Sequence, residues 1–371
     1  LIVAGESSGD LHGGNLIHAA SVVAPGLDFY GVGGTRMREA GCEILFPAED
    51  LAVMGLTEVI YHLPTIHNRF KRLESQLLGD IKPDLLLLID YPGFNLRLGM
   101  KLKALGVPVY YYISPQVWAW KKGRVKTMRQ FIRRIFVIFP FEEDFYIKQG
   151  IPVTFAGHPL VERTFSIPTR TEFFNRYGLD ETRPLVALLP GSRRNELERH
   201  TQALLKTIQV LRQHQPGLQF VLAGLSSLAN AYYEPFLALE GMVEIKDDPY
   251  PLVSHADVAV VASGTATLET AYLGTPLVVI YKISPLSYLI GKLLVDIDHL
   301  AMPNLIIGER AIPELIQHEA NGAAISNEVL QLLYDKSARA KMLTKLGKLK
   351  GALGQPGCAN VIAREILKDL E

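Results

Sequence analysis

Cysteine is scarce in this chain: two among 371 residues, Cys42 and Cys358, far apart and without metal-ligand spacing. Neither a disulfide scaffold nor a thiolate metal site is expected, and a reducing compartment fits. An excess of charge of either sign is also missing, since 38 lysines and arginines face 38 aspartates and glutamates. That removes bulk positive charge as an argument for nucleic acid. No apolar run approaches the roughly 20 residues of a spanning helix, and no signal peptide is visible. No G-x-G-x-x-G fingerprint follows a first strand; YGVGGTRMREAG comes closest, after the second strand and with the wrong spacing. A nicotinamide dehydrogenase is therefore disfavoured. Asp, Glu and His form no cluster with metal spacing, so no metal and no cofactor are expected.

What is present is ample core material: 48% of the residues are hydrophobic and 20% charged. Short apolar strands alternate with amphipathic helices along the whole length. The strands are expected at Leu1–Ala4, Phe29–Val32, Leu85–Ile89, Val109–Ile113, Ile135–Phe139 and Val153–Ala156. A second series follows at Leu185–Leu189, Phe220–Ala223, Val243–Ile245, Val258–Val261 and Leu277–Tyr281. Such βαβ alternation implies α/β architecture with two doubly wound, Rossmann-like parallel sheets. The polar stretch Glu162–Thr171 reads as the linker. The domains are then 1–165 for an acceptor and lipid, 166–345 for a nucleotide sugar, and a helical segment 346–371. Two such domains facing a cleft would hold ligands there. The chain opens inside a strand, which predicts a few further residues before it, and a soluble or peripheral cytosolic protein is expected.

Three loops carry the candidate chemistry. In VALLPGSRRNELERH a buried strand runs into Gly191, Ser192, Arg193 and Arg194, followed by a helix start. A helix N-terminus with unpaired N–H groups suits a phosphate, and arginine forks add charged donors. The alternative is an ordinary strand–turn–helix corner with two solvated arginines. A second glycine corner, Ser263, Gly264 and Thr265, precedes a helix expected from about Ala266 to Leu273, so that a diphosphate could rest on both. Glu269 lies one turn in, within reach of ribose hydroxyls, although a carboxylate there can be merely dipole-stabilising. The first loop, AGESSGDLHGG, combines Gly5, Gly9, Gly13 and Gly14 with Glu6, Ser7, Ser8 and Asp10. Without positive charge it reads as a sugar or acceptor loop. Its alternative is a small-residue turn for close helix–sheet packing.

GESSGD, AVMGLTEV, IDYPGFN, SPQVWAW, FPFE, GHPL, LLPGSR, SGTATLE and MPNLIIG follow one another along nearly the whole chain. In this order they resemble the lipid A disaccharide synthases, glycosyltransferases of the GT-B class. The resemblance implies transfer of 2,3-diacylglucosamine from UDP to 2,3-diacylglucosamine 1-phosphate. UDP is released and a β-1,6 bond forms with inversion. It further implies a nucleotide site on Arg193, Glu269, Asn304 and the glycine corners. A homodimer with exchanged C-terminal segments, at the cytoplasmic face of the inner membrane, is implied as well. One departure concerns the IDYPGFN segment, where Gly93 stands in place of a second carboxylate found in many members.

Inverting transfer needs a base for the acceptor hydroxyl and positive groups for the leaving diphosphate. Asp90, at the carboxyl end of the LLLLID strand, is the expected base, with His12 its rival and a turn-capping role the structural alternative. Arg193 is expected to serve the leaving group. Lipid contact is read from Leu56, Val59, Ile60, Leu63 and Ile66, apolar at helical spacing, for which core packing is an equal alternative. The run from Lys121 to Arg134, with Lys122 and Arg124, holds seven basic residues and no acid. It suits anionic headgroups or a solvated face. Competing functions are a UDP-sugar epimerase and a non-catalytic nucleotide-sugar or lipid binder. Neither would yield UDP dependent on an acylated acceptor.

Overall fold

Thirteen parallel strands, arranged in two sheets, organise the computed structural model, which describes residues 1–48, 82–119, 123–294 and 297–370. The first sheet contains β1 (Ile2–Ala4), β2 (Tyr30–Gly33), β3 (Glu43–Pro47), β4 (Leu86–Ile89), β5 (Val109–Tyr112), β6 (Ile132–Val137) and β7 (Val153–Phe155). The second contains β8 (Leu185–Leu189), β9 (Gln219–Gly224), β10 (Met242–Lys246), β11 (Val258–Ala262), β12 (Leu277–Tyr281) and β13 (Glu314–Ile316). Their orders are β3-β2-β1-β4-β5-β6-β7 and β10-β9-β8-β11-β12-β13. Each sheet therefore reverses direction once, between β1 and β4 and between β8 and β11. Ligands of doubly wound sheets bind beyond the carboxyl ends of the strands at such a reversal.

Helices cover both faces, which is why the strands are near-continuous apolar runs. In the first sheet Val3, Leu86, Leu88, Tyr111 and Ile135 pack on one face. Ile2, Ala4, Leu87, Ile89, Tyr110 and Phe136 pack on the other, with Ile362, Ala363 and Ile366 of the C-terminal helix Cys358–Leu370. The chain divides into Leu1–Glu162 with Leu353–Glu371, and Arg163–Ala352. The last helix thus joins the first unit. Glu162 Oε1 accepts from the N–H groups of Gly357 and Cys358 at 2.8 and 2.6 Å and so caps its start. At its other end, Asp369 receives Arg134 Nε and Nη2, both at 2.8 Å.

Two strands escape the sequence reading. β3 and β13 are short edge strands carrying charged or half-exposed residues, Glu43 and Glu314 among them, and lack a continuous apolar run. The β6 expectation is displaced toward the C-terminus for a different reason. Arg133 and Arg134 look like part of a solvated basic run, yet they lie on the strand and bind Asp369. Among the described residues, no helix is long and apolar enough to cross a membrane.

Candidate active site

At the reversal of the first sheet Ala4 pairs with Ile89, so the loops after β1 and β4 start side by side. Asp90 and Tyr91, the first residues past β4, both have left-handed backbones, with φ of 46° and 45°. Such residues cost on the order of 1–2 kcal/mol each and persist where the surroundings over-determine them. Here Asn95, buried in the helix Pro92–Ala104, donates its amide to the Asp90 and Ile89 carbonyls at 2.7 and 3.1 Å. Tyr111 donates its hydroxyl to the Asp90 carbonyl at 2.5 Å. The backbone is thus held by polar groups while the carboxylate is left to the loop. Burial, with Glu6 nearby, pushes the Asp90 carboxyl up to about 6, close to the range suited to a base at neutral pH. Gly93 leaves open space at its position, so the absent second carboxylate is not replaced by packing.

The loop after β1 shows why its small residues are needed. A Cβ on Gly5 would lie 2.5 Å from the Tyr91 ring. Glu6, Ser7 and Ser8 are exposed, and Glu6 caps the helix Ser7–Val23 without a side-chain bond. Asp10 differs from its expected ligand role: it is buried and accepts from the N–H groups of Gly34, Arg36 and Met37 at 2.6, 3.0 and 3.1 Å. Its carboxylate therefore caps the helix Thr35–Glu39. The His12 imidazolium is held down at about 4 by burial, partly offset by Glu162. His158 is likewise held at about 4, by burial and by His12.

At the reversal of the second sheet Leu189 pairs with Val261. The two glycine corners therefore leave adjacent strands at one edge. The corner after β8 already contains a carboxylate: Glu196 Oε2 accepts from Ser192 N at 2.9 Å and Arg193 N at 3.2 Å. The N–H groups expected for a phosphate are satisfied internally, and a Cβ on Gly191 would meet the Glu196 carboxylate at 2.5 Å. Arg193 remains 79% exposed, with one contact to Glu196 Oε1 at 3.0 Å. The corner after β11 is more open. Gly264, with φ of 153° and open space where a side chain would point, starts the helix Thr265–Leu273 without a side-chain cap. Glu269, half-buried, accepts at Oε1 from Arg163 at 3.0 Å and Tyr250 Oη at 2.9 Å. Burial pushes its carboxyl up.

Asn304 does not fit the expected nucleotide contact. It is fully buried; its amide donates to the Ile312 carbonyl and Glu314, and its oxygen accepts from Ala311 N and Ile312 N. Both donors and both acceptor positions are used, so the side chain is a strut for the loop before β13. A cavity of about 330 Å³ in the second unit, lined by Arg310, Glu328, Lys341 and Lys345 among others, shares no residue with either corner. At the first reversal point, by contrast, topology and a strained backbone at Asp90 and Tyr91 coincide.

Comparison with known proteins shows the family and the fold. The family model described as lipid-A-disaccharide synthetase matches residues 1–360. The lipid-A-disaccharide synthase of Geobacter metallireducens is 44% identical over 372 residues, covering 100% of this chain and 97% of that protein. This chain belongs to the lipid-A-disaccharide synthase family. Among solved structures, a putative UDP-N-acetylglucosamine 2-epimerase from Listeria monocytogenes aligns with TM-score 0.65 at 14% identity, covering 100% of this chain and 95% of that one. The glycotransferase of kitacinnamycin aligns with TM-score 0.61 at 14% identity, over 97% and 96%. At that identity these two establish the GT-B fold alone.

A lipid-A-disaccharide synthase is a UDP-dependent hexosyltransferase, and this chain is one by family. The epimerase and binding-protein alternatives are set aside by the same finding. The proposed lipid residues Leu56, Val59, Ile60, Leu63 and Ile66, and Lys121 and Lys122, lie outside the described residues. Arg124 begins the helix Arg124–Phe131, whose Val125, Met128 and Phe131 are buried while Lys126 and Arg129 are exposed. Sequence reasoning misses Asn95, Glu142, His158 and Glu196. The first three sit inside IDYPGFN, FPFE and GHPL, stretches that flag the family without assigning these side chains a task.

Proposed function

We propose that the enzyme binds its acylated acceptor on the first unit and its UDP-sugar donor on the second, with Asp90 taking the proton of the acceptor hydroxyl. The strained, polar-anchored backbone at Asp90 carries this reading, because such strain recurs where a side chain must be aimed. With a pKa of about 6 the carboxylate is ionised at neutral pH. His12, at about 4, is a weaker proton acceptor. The attacking oxygen then displaces UDP with inversion. The developing diphosphate charge is met by Arg193 and by the N–H groups that open the helix Thr265–Leu273. Glu269 reaches the ribose hydroxyls through the oxygen not held by Arg163 and Tyr250.

Peripheral contact with the inner membrane is the reading for the apolar stripe 56–66 and the basic run 121–129. Serine at Val59, Ile60 and Leu63 should lower partitioning onto anionic vesicles without lowering the melting temperature. Loss of stability with unchanged partitioning would make the stripe core. In a homodimer with exchanged C-terminal segments, the Arg134–Asp369 pair would form between copies. The principal assay incubates the protein with both acylated sugars and follows disaccharide and UDP by mass spectrometry. UDP released without acceptor, or no disaccharide, rejects the assignment of acceptor and donor.

A further inference from the structure

Beyond the reversal point, the carboxyl edge of the first sheet carries a row of rings. Trp118, after β5, meets Phe141 edge-on with centroids 4.9 Å apart. Phe141 stacks on Phe139 at 5.7 Å with planes 4° apart, and Phe139 meets the His158 ring at 5.2 Å. All four are half-buried, each keeping part of its surface exposed. Beneath them lies Glu142, buried in the helix Pro140–Lys148. Its Oε1 accepts from Ser114 Oγ at 3.0 Å and Trp118 Nε1 at 3.1 Å, and its Oε2 from Phe139 N at 3.3 Å. One carboxylate thus joins the segment after β5 to the segment after β6. Burying a carboxylate is costly unless it is fully hydrogen-bonded, and an apolar side chain would fill the same space more cheaply. The base Asp90 uses none of these contacts.

We propose that this aromatic row seats the glucosamine ring of the acceptor, and that Glu142 is the positioning residue that fixes the rings. The proposal rests on the acceptor binding the first unit. A pyranose has a face of axial C–H groups, which carry slight positive charge and suit the negative face of an aromatic ring. The location fits as well. Phe139 follows β6, two strands from the β4 end that bears Asp90; at the usual strand spacing that is about 10 Å, a separation a phosphorylated hexose can bridge. His158, at the end of the row, follows β7, and its Nδ1 accepts from Leu160 N at 3.0 Å.

The test is steady-state kinetics on the full chain, varying donor and acceptor separately, for Phe141→Ala, Glu142→Ala and Glu142→Gln. Phe141→Ala and Glu142→Ala should raise the acceptor KM about tenfold while donor KM moves by less than about twofold. Glu142→Gln keeps one carbonyl for Ser114 and Trp118 and should recover part of that loss. If Glu142→Ala fails to fold, Phe141→Ala and Glu142→Gln carry the test. An unchanged acceptor KM in those two, or equal rises in both KM values, overturns the proposal. Asp90→Asn is run alongside. If its turnover collapses while Phe141→Ala leaves acceptor KM unchanged, the ring seat alone is wrong. If Asp90→Asn stays active, the base assignment fails and the acceptor KM still decides the seat.

Discussion

At the reversal of the first sheet the turn is made by Asp90 and Tyr91, residues with side chains in left-handed backbones; at the second it is made by Gly191 and Gly264. Both sheets share the reversal, β1 beside β4 and β8 beside β11. In the first, Asn95 and Tyr111 hold the strained turn through the Asp90 backbone carbonyl. In the second, Gly191 makes room for the Glu196 carboxylate while Gly264 faces open space, and the charge is kept on the exposed Arg193. In the proposed assignment one topology serves proton transfer in one unit and anion binding in the other, because only the residues beyond the strand ends differ.

Four substitutions or conditions probe that contrast. Asp90→Asn preserves shape and removes the proton acceptor, so turnover should fall by roughly 10²–10⁴-fold, the usual share of general-base catalysis. Donor binding, measured by titration calorimetry with UDP, should be unchanged. A lowered melting temperature with turnover retained would instead make Asp90 a structural cap. Arg193→Ala should reduce kcat/KM for the UDP donor by about tenfold to hundredfold, the loss expected for one charge-assisted contact. Equal kinetics at limiting and saturating donor would take Arg193 out of the site.

The wild-type pH profile comes next. A base whose carboxyl is raised from 3.8 to about 6 must be ionised to act. Log kcat/KM should then be level above pH 6 and fall by about one per pH unit below it. Descent beginning near pH 4 would point to His12. The smallest effect on activity belongs to Asn304→Ala. It leaves buried partners unsatisfied at about 1–3 kcal/mol each, so the melting temperature should drop while UDP affinity at permissive temperature is kept. A selective loss of UDP affinity without destabilisation would restore Asn304 as a nucleotide contact.

Much of this layout is legible in the sequence where one segment decides its own fate. Leu185–Leu189 and Leu277–Tyr281 appear at their expected bounds, because five apolar residues between turn formers have few alternatives. The helix Arg170–Tyr177, which takes in the last two residues of the expected linker, is locally determined as well: Thr169 and Glu172 form a capping box and Gly178 ends it at φ of 64°. Asp90 is readable as a polar residue ending a buried strand. Asp10 misleads because its partners, Gly34, Arg36 and Met37, are distant in sequence. Glu196 escapes notice because a helix-start glutamate gives no sign that it fills the loop before it.

Composition and periodicity by themselves determined two parallel α/β sheets, their glycine corners and the candidate base, since burial on both faces and the freedom of a turn are local demands on residue type. Tertiary structure alone decided which polar groups are free to act. Asp10 and Asn304 have chemistry suited to a ligand, but backbone N–H groups already occupy it, 24 residues away for Asp10 and seven and eight residues away for Asn304. At Asp90, Asn95 and Tyr111 bind the backbone carbonyl, and the carboxylate takes the Tyr91 N–H. A hydrogen-bonding group can serve a substrate only with capacity left after folding, and that remainder depends on contacts the linear order does not contain.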